Sequence, residues 1–228
     1  MKNVIIIIGK QFKDTIKNKI ILIQFVLFPI MTLIMENAIK MEGMPELFFT
    51  KLFSIMYIGM APLTSVAAII SEEKEKNTLR VLMMANVAPW QYLTGVGIYV
   101  WTVCMTGAAV MAAGFEGKNI LLYLTAMGTG FVISIVLGGC IGIFAKNQMA
   151  ATSLVMPAMA ILSFGPMLAI FNDTIEKVVR FLYTQQLSVF LDNMTLDRGM
   201  GEGIVIVLIN AAVFIALFFI TFKRKGLE

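Results

Sequence analysis

Six stretches of the chain are almost unbroken in their apolarity, and charged residues cluster between them. They run from about Ile20 to Met35, Leu52 to Ile70, Tyr92 to Ala113, Ile120 to Ala145, Ala150 to Phe171 and Ile204 to Phe222. A helix needs about 20 apolar residues to cross the hydrocarbon core of a bilayer, so this pattern predicts six transmembrane helices and an all-α integral membrane fold. The first stretch is short for a span, and the fifth carries Pro157 and Pro166.

Two further segments are amphipathic without being apolar enough to span. Before the first stretch, Ile5, Ile8, Phe12 and Ile16 recur at helical spacing, with Lys10, Lys13, Asp14 and Lys17 on the other side. That is the pattern of an interfacial helix on an anionic leaflet, placed over residues 1–19, with Lys10, Phe12, Lys13 and Lys17 as its membrane contacts. After the fifth stretch, Ile175, Val178, Val179 and Leu182 form an apolar stripe beside Glu176, Lys177 and Arg180. Residues 172–203 are too long for a simple connector and predict one or two short external helices. No internal repeat or separate soluble domain interrupts the pattern, so residues 1–228 read as a single transmembrane domain.

Composition agrees. With 59% hydrophobic and 14% charged residues and a mean hydropathy of +0.87, the chain has too little polar surface to coat a water-soluble globule. The formal charge of +4 suits orientation in a membrane rather than a nucleic-acid partner. Lys2, Lys10, Lys13, Lys17, Lys19, Lys74, Lys76, Arg80, Lys146, Lys223, Arg224 and Lys225 share one side, while Lys40, Lys51, Lys118, Lys177, Arg180 and Arg198 fall on the other. The richer side is predicted to be cytoplasmic and to hold both termini. Val4 to Ile8 is too short, and too soon followed by basic residues, for a cleavable signal.

The same inventory removes several chemistries. There is no histidine, and Cys104 and Cys140 lie within apolar runs as small hydrophobes, so no metal site or disulfide framework is expected. The polar residues inside the spans are neutral: Gln24, Tyr57, Thr64, Thr102, Thr106, Thr129, Ser134, Ser153, Ser163 and Asn210. They either hydrogen-bond between helices or line a route, but none relays an ion as a charged group does. No Ser–His pair, zinc-protease helix or pair of intramembrane aspartates is present. A P-loop is absent too, because the first glycine before Gly9-Lys10 or Gly117-Lys118 would fall at Val4 or Ala112. Active work would need energy from another subunit.

Between the second and third stretches lies Ser71-Glu72-Glu73-Lys74-Glu75-Lys76-Asn77-Thr78-Leu79-Arg80-Val81-Leu82-Met83-Met84, followed by Pro89. The charged block is expected to leave the membrane, Thr78 to cap a short helix with Leu79, Leu82 and Met83 as its stripe, and Pro89 to end it. Such an elbow suits insertion into a groove on a partner; a solvated charge run with an interfacial helix is the alternative.

Glu73-Lys74-Glu75-Lys76-Asn77-Thr78-Leu79 with Pro89 resembles the run after the second span in permeases of ABC-2 type ATP-binding-cassette transporters, Glu-x-Glu-x-Gly-Thr-Leu followed by apolar residues and a proline. Asn77 stands where the family usually has glycine, and Asn also tolerates a left-handed backbone. Arg80 stands where members often have an acidic residue.

The resemblance implies that residues 71–90 form a coupling helix docking on a separate cytoplasmic ATPase, which would bind ATP and Mg while this chain holds no cofactor. Its contacts would be Glu72, Glu73, Lys74, Glu75, Lys76, Asn77, Thr78, Leu79, Arg80, Leu82 and Met83. It also implies a second permease, identical or different, in a bacterial plasma membrane. Leu79 to Leu93 is similar to small permeases that export amphipathic peptides, such as the phenol-soluble modulin exporter. The 18 methionines and 17 phenylalanines suit an adaptable lining for apolar or amphipathic cargo, whether peptide, drug or lipid-like, and ordinary lipid-facing and core positions account for most of them equally well. An ion-coupled transporter and a non-transporting scaffold remain the rival readings. Gly128, Gly130, Gly138, Gly139 and Gly142 permit close helix approach within or between subunits, and Pro29, Pro62, Pro157 and Pro166 mark kinks or hinges.

Overall fold

A computed structural model describes residues 2–39, 43, 45–194 and 201–225; Lys40 and Arg198 lie outside them. It is helical throughout, with no strand among the described residues. The elements are α1 (Lys2–Lys17), α2 (Lys19–Ala38), α3 (Phe48–Glu75), α4 (Thr78–Met84), α5 (Pro89–Met111) and α6 (Lys118–Phe144), then α7 (Gln148–Met159), α8 (Gly165–Ala169), α9 (Asp173–Val179), α10 (Tyr183–Asn193) and α11 (Gly201–Lys225). Six segments among the described residues are long and apolar enough to cross a membrane: α2, α3, α5, α6, the α7–α8 segment and α11.

The bundle is built around α3, which packs against α2, α5, α6, α7 and α10. Its 28 residues reach about 42 Å, well beyond the roughly 30 Å hydrocarbon core, so its last turn extends past the depth a span requires. The charged block does not break this helix: Ser71 to Glu75 continue it. Tyr57, Tyr123 and Tyr183 are fully buried at the crossings of α3, α6 and α10. Their hydroxyls are satisfied, as burial in a dry interior requires: Tyr57 donates to Phe25 O at 3.1 Å, Tyr123 pairs with Ser54 Oγ at 2.7 Å and Tyr183 with Ser134 Oγ at 2.6 Å.

Where α3 crosses α6, the spacing is set by glycine. A Cβ on Gly138 would stand 2.6 Å from Leu63 O, and one on Gly142 would stand 2.9 Å from Ile70 Cβ. Both contacts lie within one subunit, and so does that of Gly130 with Ile58 and Leu187. The intramembrane polar groups divide in the same way. Gln24 Oε1 accepts from Thr64 at 2.8 Å and Ser65 at 3.2 Å, tying α2 to α3, and Ser134 donates to Ile58 O at 2.6 Å. Thr102, Thr106, Thr129 and Ser153 instead bond carbonyls of their own helices.

The fifth span is not one regular helix. Between Pro157 and Pro166, residues Ala160–Phe164 widen into a π-turn, the local adjustment by which a helix accommodates groups freed by proline. Gly59 of α3 faces this turn, where an added Cβ would meet Ser163 Oγ at 2.7 Å. Beyond it, Asn172 caps α9 by accepting from Thr174 N at 2.9 Å, and α10 folds back onto α3 and α6. The helix α11 is peripheral: none of its described residues is buried, and it holds mainly to α6 and α10.

Candidate functional site

The last turn of α3 and the first turn of α5 meet α1, with the short α4 between them, at the end of the bundle that carries the basic residues. The turn from α3 into α4 is made by Asn77 at φ 56°, a left-handed backbone that Asn adopts at lower cost than β-branched or bulky residues. Asn77 therefore occupies the cap position, and Thr78 is the first helical residue rather than the cap. The helix also stops earlier than expected, at Met84. Asn86 at φ 62° redirects the chain, and Pro89 opens α5 instead of closing α4. Proline suits that first position, where its missing N–H is no loss. The side chain of Gln91 accepts from Ala88 N at 3.1 Å and from Asn3 Nδ2 at 3.0 Å, joining this entry to α1.

The charged run is largely spent inside the molecule. Glu73 is buried and turned toward α1, where its Oε1 accepts from Gln11 Nε2 at 2.6 Å and pairs with the ammonium of Lys10. Burial alone would lower the Lys10 pKa, but the bonds and charges of Glu73 and Asp14 outweigh it and hold the pKa above its ordinary value. Glu72 accepts from Asn18 Nδ2 at 3.1 Å and from Lys76 Nζ at 2.5 Å. The Lys76 ammonium is held above its usual range by that Glu72 bond. Lys74 Nζ donates to Ile143 O at 2.8 Å, at the end of α6, and Glu75 accepts from Gln148 N at 2.9 Å, at the start of α7. The elbow is thus fastened to α1, α6 and α7 by one consecutive run of side chains.

The apolar stripe also points inward. Leu79 is buried, and Leu82 and Met83 are packed against the core. What α4 leaves outside is Arg80 with Val81 and Met84, the last two 57% and 70% exposed. These side chains are the part of α4 that faces away from the core. Val81 and Met84 fall outside the set of contacts that the family resemblance implies, and their spacing on the side opposite Leu79 and Leu82 is the sequence signal for them.

The helix α1 combines a buried and an exposed apolar face. Ile7, Gln11 and Thr15 are buried, with Ile7 Cγ2 2.8 Å from where a Cβ on Gly95 would stand. Ile5, Phe12 and Ile16 remain exposed, as do Lys13 and Lys17, whereas Lys10 is drawn into the pair with Glu73.

Residues 2–222 match a family described as ABC-2 family transporter protein. No curated protein matches the chain.

Proposed function

The chain belongs to the ABC-2 transporter family, and from that membership we propose that it is the membrane-spanning permease of an ATP-binding-cassette exporter, worked by a separate ATPase. The observation that carries this reading is the elbow: a short helix with Arg80, Val81 and Met84 outward, continuous with a last turn of α3 that one ion pair and several hydrogen bonds tie to α1, α6 and α7. A partner that pushes on α4 moves α1, α3, α6 and α7 with it, which is what transmitting force into the bundle requires.

In this reading residues 1–228 work as one unit, both termini lie in the cytoplasm of a bacterial cell, and ATP and Mg bind the partner. Residues 71–90 are the coupling element, with the roles divided. Arg80, Val81 and Met84 meet the ATPase, while Glu72, Glu73, Lys74, Glu75 and Lys76 hold the elbow in position and Leu79, Leu82 and Met83 seat it. A second permease, identical or different, completes the route outward. The cargo is apolar or amphipathic, in keeping with the neutral, Met- and Phe-rich spans, and an amphipathic peptide fits the narrower resemblance of Leu79 to Leu93. The test is to co-express the chain with its candidate ATPase and assay the purified complex in vesicles. A stoichiometric complex whose ATP hydrolysis rises several-fold with an amphipathic peptide supports the reading, whereas binding without turnover favours a scaffold.

A further inference from the structure

On the side of the bundle where α11 leans on α6, the helices α3, α5, α6 and α11 enclose an apolar groove of about 650 Å³. This is within the roughly 300–1,000 Å³ typical of small-ligand sites. Thr94 supplies the one hydroxyl among its lining residues. Gly97 of α5 gives it depth, having no side chain to fill the space, while Gly139 of α6 lets the Phe218 ring of α11 lie close against its wall. Along α5 it extends from Trp90 to Trp101, about 16 Å at the α-helical rise. That is about half of a 30 Å hydrocarbon core, the depth of one leaflet.

The foot of the groove is cationic. Phe222 lines it and is followed at once by exposed Lys223, Arg224 and Lys225. Lys225 Nζ lies 5.7 Å from the Phe144 ring centroid, and Lys74 Nζ sits on Ile143 O one turn beyond the lining residue Ile70. Among the described residues, the carboxylate of Glu75 beside Lys74 is engaged by Gln148 N. Trp90 stands at the mouth, 61% exposed, where an indole marks the level of the lipid headgroups. Trp101 is pinned at the deep end by donating to Gly128 O at 3.1 Å.

We propose that this groove is a binding site for an anionic membrane lipid, one acyl chain lying along α5 between Trp90 and Trp101 and the headgroup held by the cations at the end of α11. Length, apolarity and the position of charge agree on that occupant. A second copy of the chain is disfavoured, because a two-fold contact here would bring the cationic feet of both copies together.

The protein's two tryptophans both line the groove, so its intrinsic fluorescence reports lipid reaching them, and the difference between two lipids reports the site. The chain is reconstituted in phosphatidylcholine vesicles doped with either phosphatidylglycerol or phosphatidylcholine carrying brominated acyl chains, with no partner subunit present. Brominated phosphatidylglycerol is expected to reach half-maximal quenching at a mole fraction about fivefold lower, the factor for one Lys or Arg engaging an anionic headgroup.

The triple variant Lys223→Gln/Arg224→Gln/Lys225→Gln brings the two lipids level. Gly97→Leu weakens quenching by both, and its Cβ has room, with Ile135 Cγ2 the nearest atom at 3.5 Å. Equal quenching of the unaltered chain by both lipids overturns the proposal. Absence of quenching by either also overturns it, since protein then covers the groove. Should Gly97→Leu fail to insert, the charge variant, altering exposed residues alone, still decides.

Discussion

Replacing Glu73 with Ala will cut ATP-driven transport at least tenfold, while the chain still inserts in the membrane. Glu73 does not face outward; it is buried and pairs with Lys10 and Gln11 of α1. Removing one member of a buried ion pair costs about 3–5 kcal/mol, because the other is left charged and uncompensated. Here Lys10 keeps Asp14 at 3.0 Å and is itself partly exposed, so the cost falls below that range, and the main loss is the hold of α1 on the end of α3. Glu75→Ala should cost far less, since Glu75 is exposed and serves Gln148 N at the start of α7. Lys10→Met with Glu73→Met should recover much of the loss, as no lone charge remains. Transport by reconstituted complexes and thermal unfolding of the purified chain check both parts. A Glu73→Ala variant that transports at the original rate would show that the clasp positions nothing.

The largest loss of folded protein is expected from Gly138→Leu. A Cβ there would stand 2.6 Å from Leu63 O, and a backbone oxygen in the central helix cannot swing aside as a side-chain end can. Overpacking typically costs about 1–3 kcal/mol where side chains can yield, so this crossing should exceed that range. Gly138→Ala is expected to be intermediate. Gly128→Ala is the control: its nearest neighbours, Met105 Sδ and a Trp101 ring carbon, lie at an ordinary 3.5 Å. Size-exclusion profiles of the solubilised variants separate the cases. A monodisperse Gly138→Leu chain in normal amount would contradict the packing described for α3 and α6.

The six spans were legible because the bilayer imposes a length on apolar runs, and that length survives in one dimension. The helical extent of α3 was not, because Glu72 to Glu75 look like a loop to any rule that ends a span at its first charges, whereas a helix can continue into water when its side chains find partners there. Glu73 finds its partner 63 residues earlier, and no local pattern reports a contact of that separation. The stripe Leu79, Leu82 and Met83 was read correctly as apolar, but periodicity shows only that one face of α4 is buried, not what buries it. It faces the bundle, which leaves Val81 and Met84 as the outward pair. Asn77 in place of glycine was readable as a left-handed turn, and it adopts one at φ 56°. The π-turn at Ala160–Phe164 was signalled only by its flanking prolines, which promise an irregularity without giving its form.

The account rests on α4 as the point where an ATP-driven partner grips the membrane bundle. A photo-activatable crosslinker on Met84→Cys, in vesicles holding the chain and its ATPase, tests that contact during turnover. The prediction is a covalent adduct between the two subunits that forms with ATP present and arrests transport, with no comparable adduct from Asn193→Cys at the opposite end. If Met84→Cys yields no adduct while the complex hydrolyses ATP and moves cargo, the drive enters elsewhere and the assignment of the elbow is wrong.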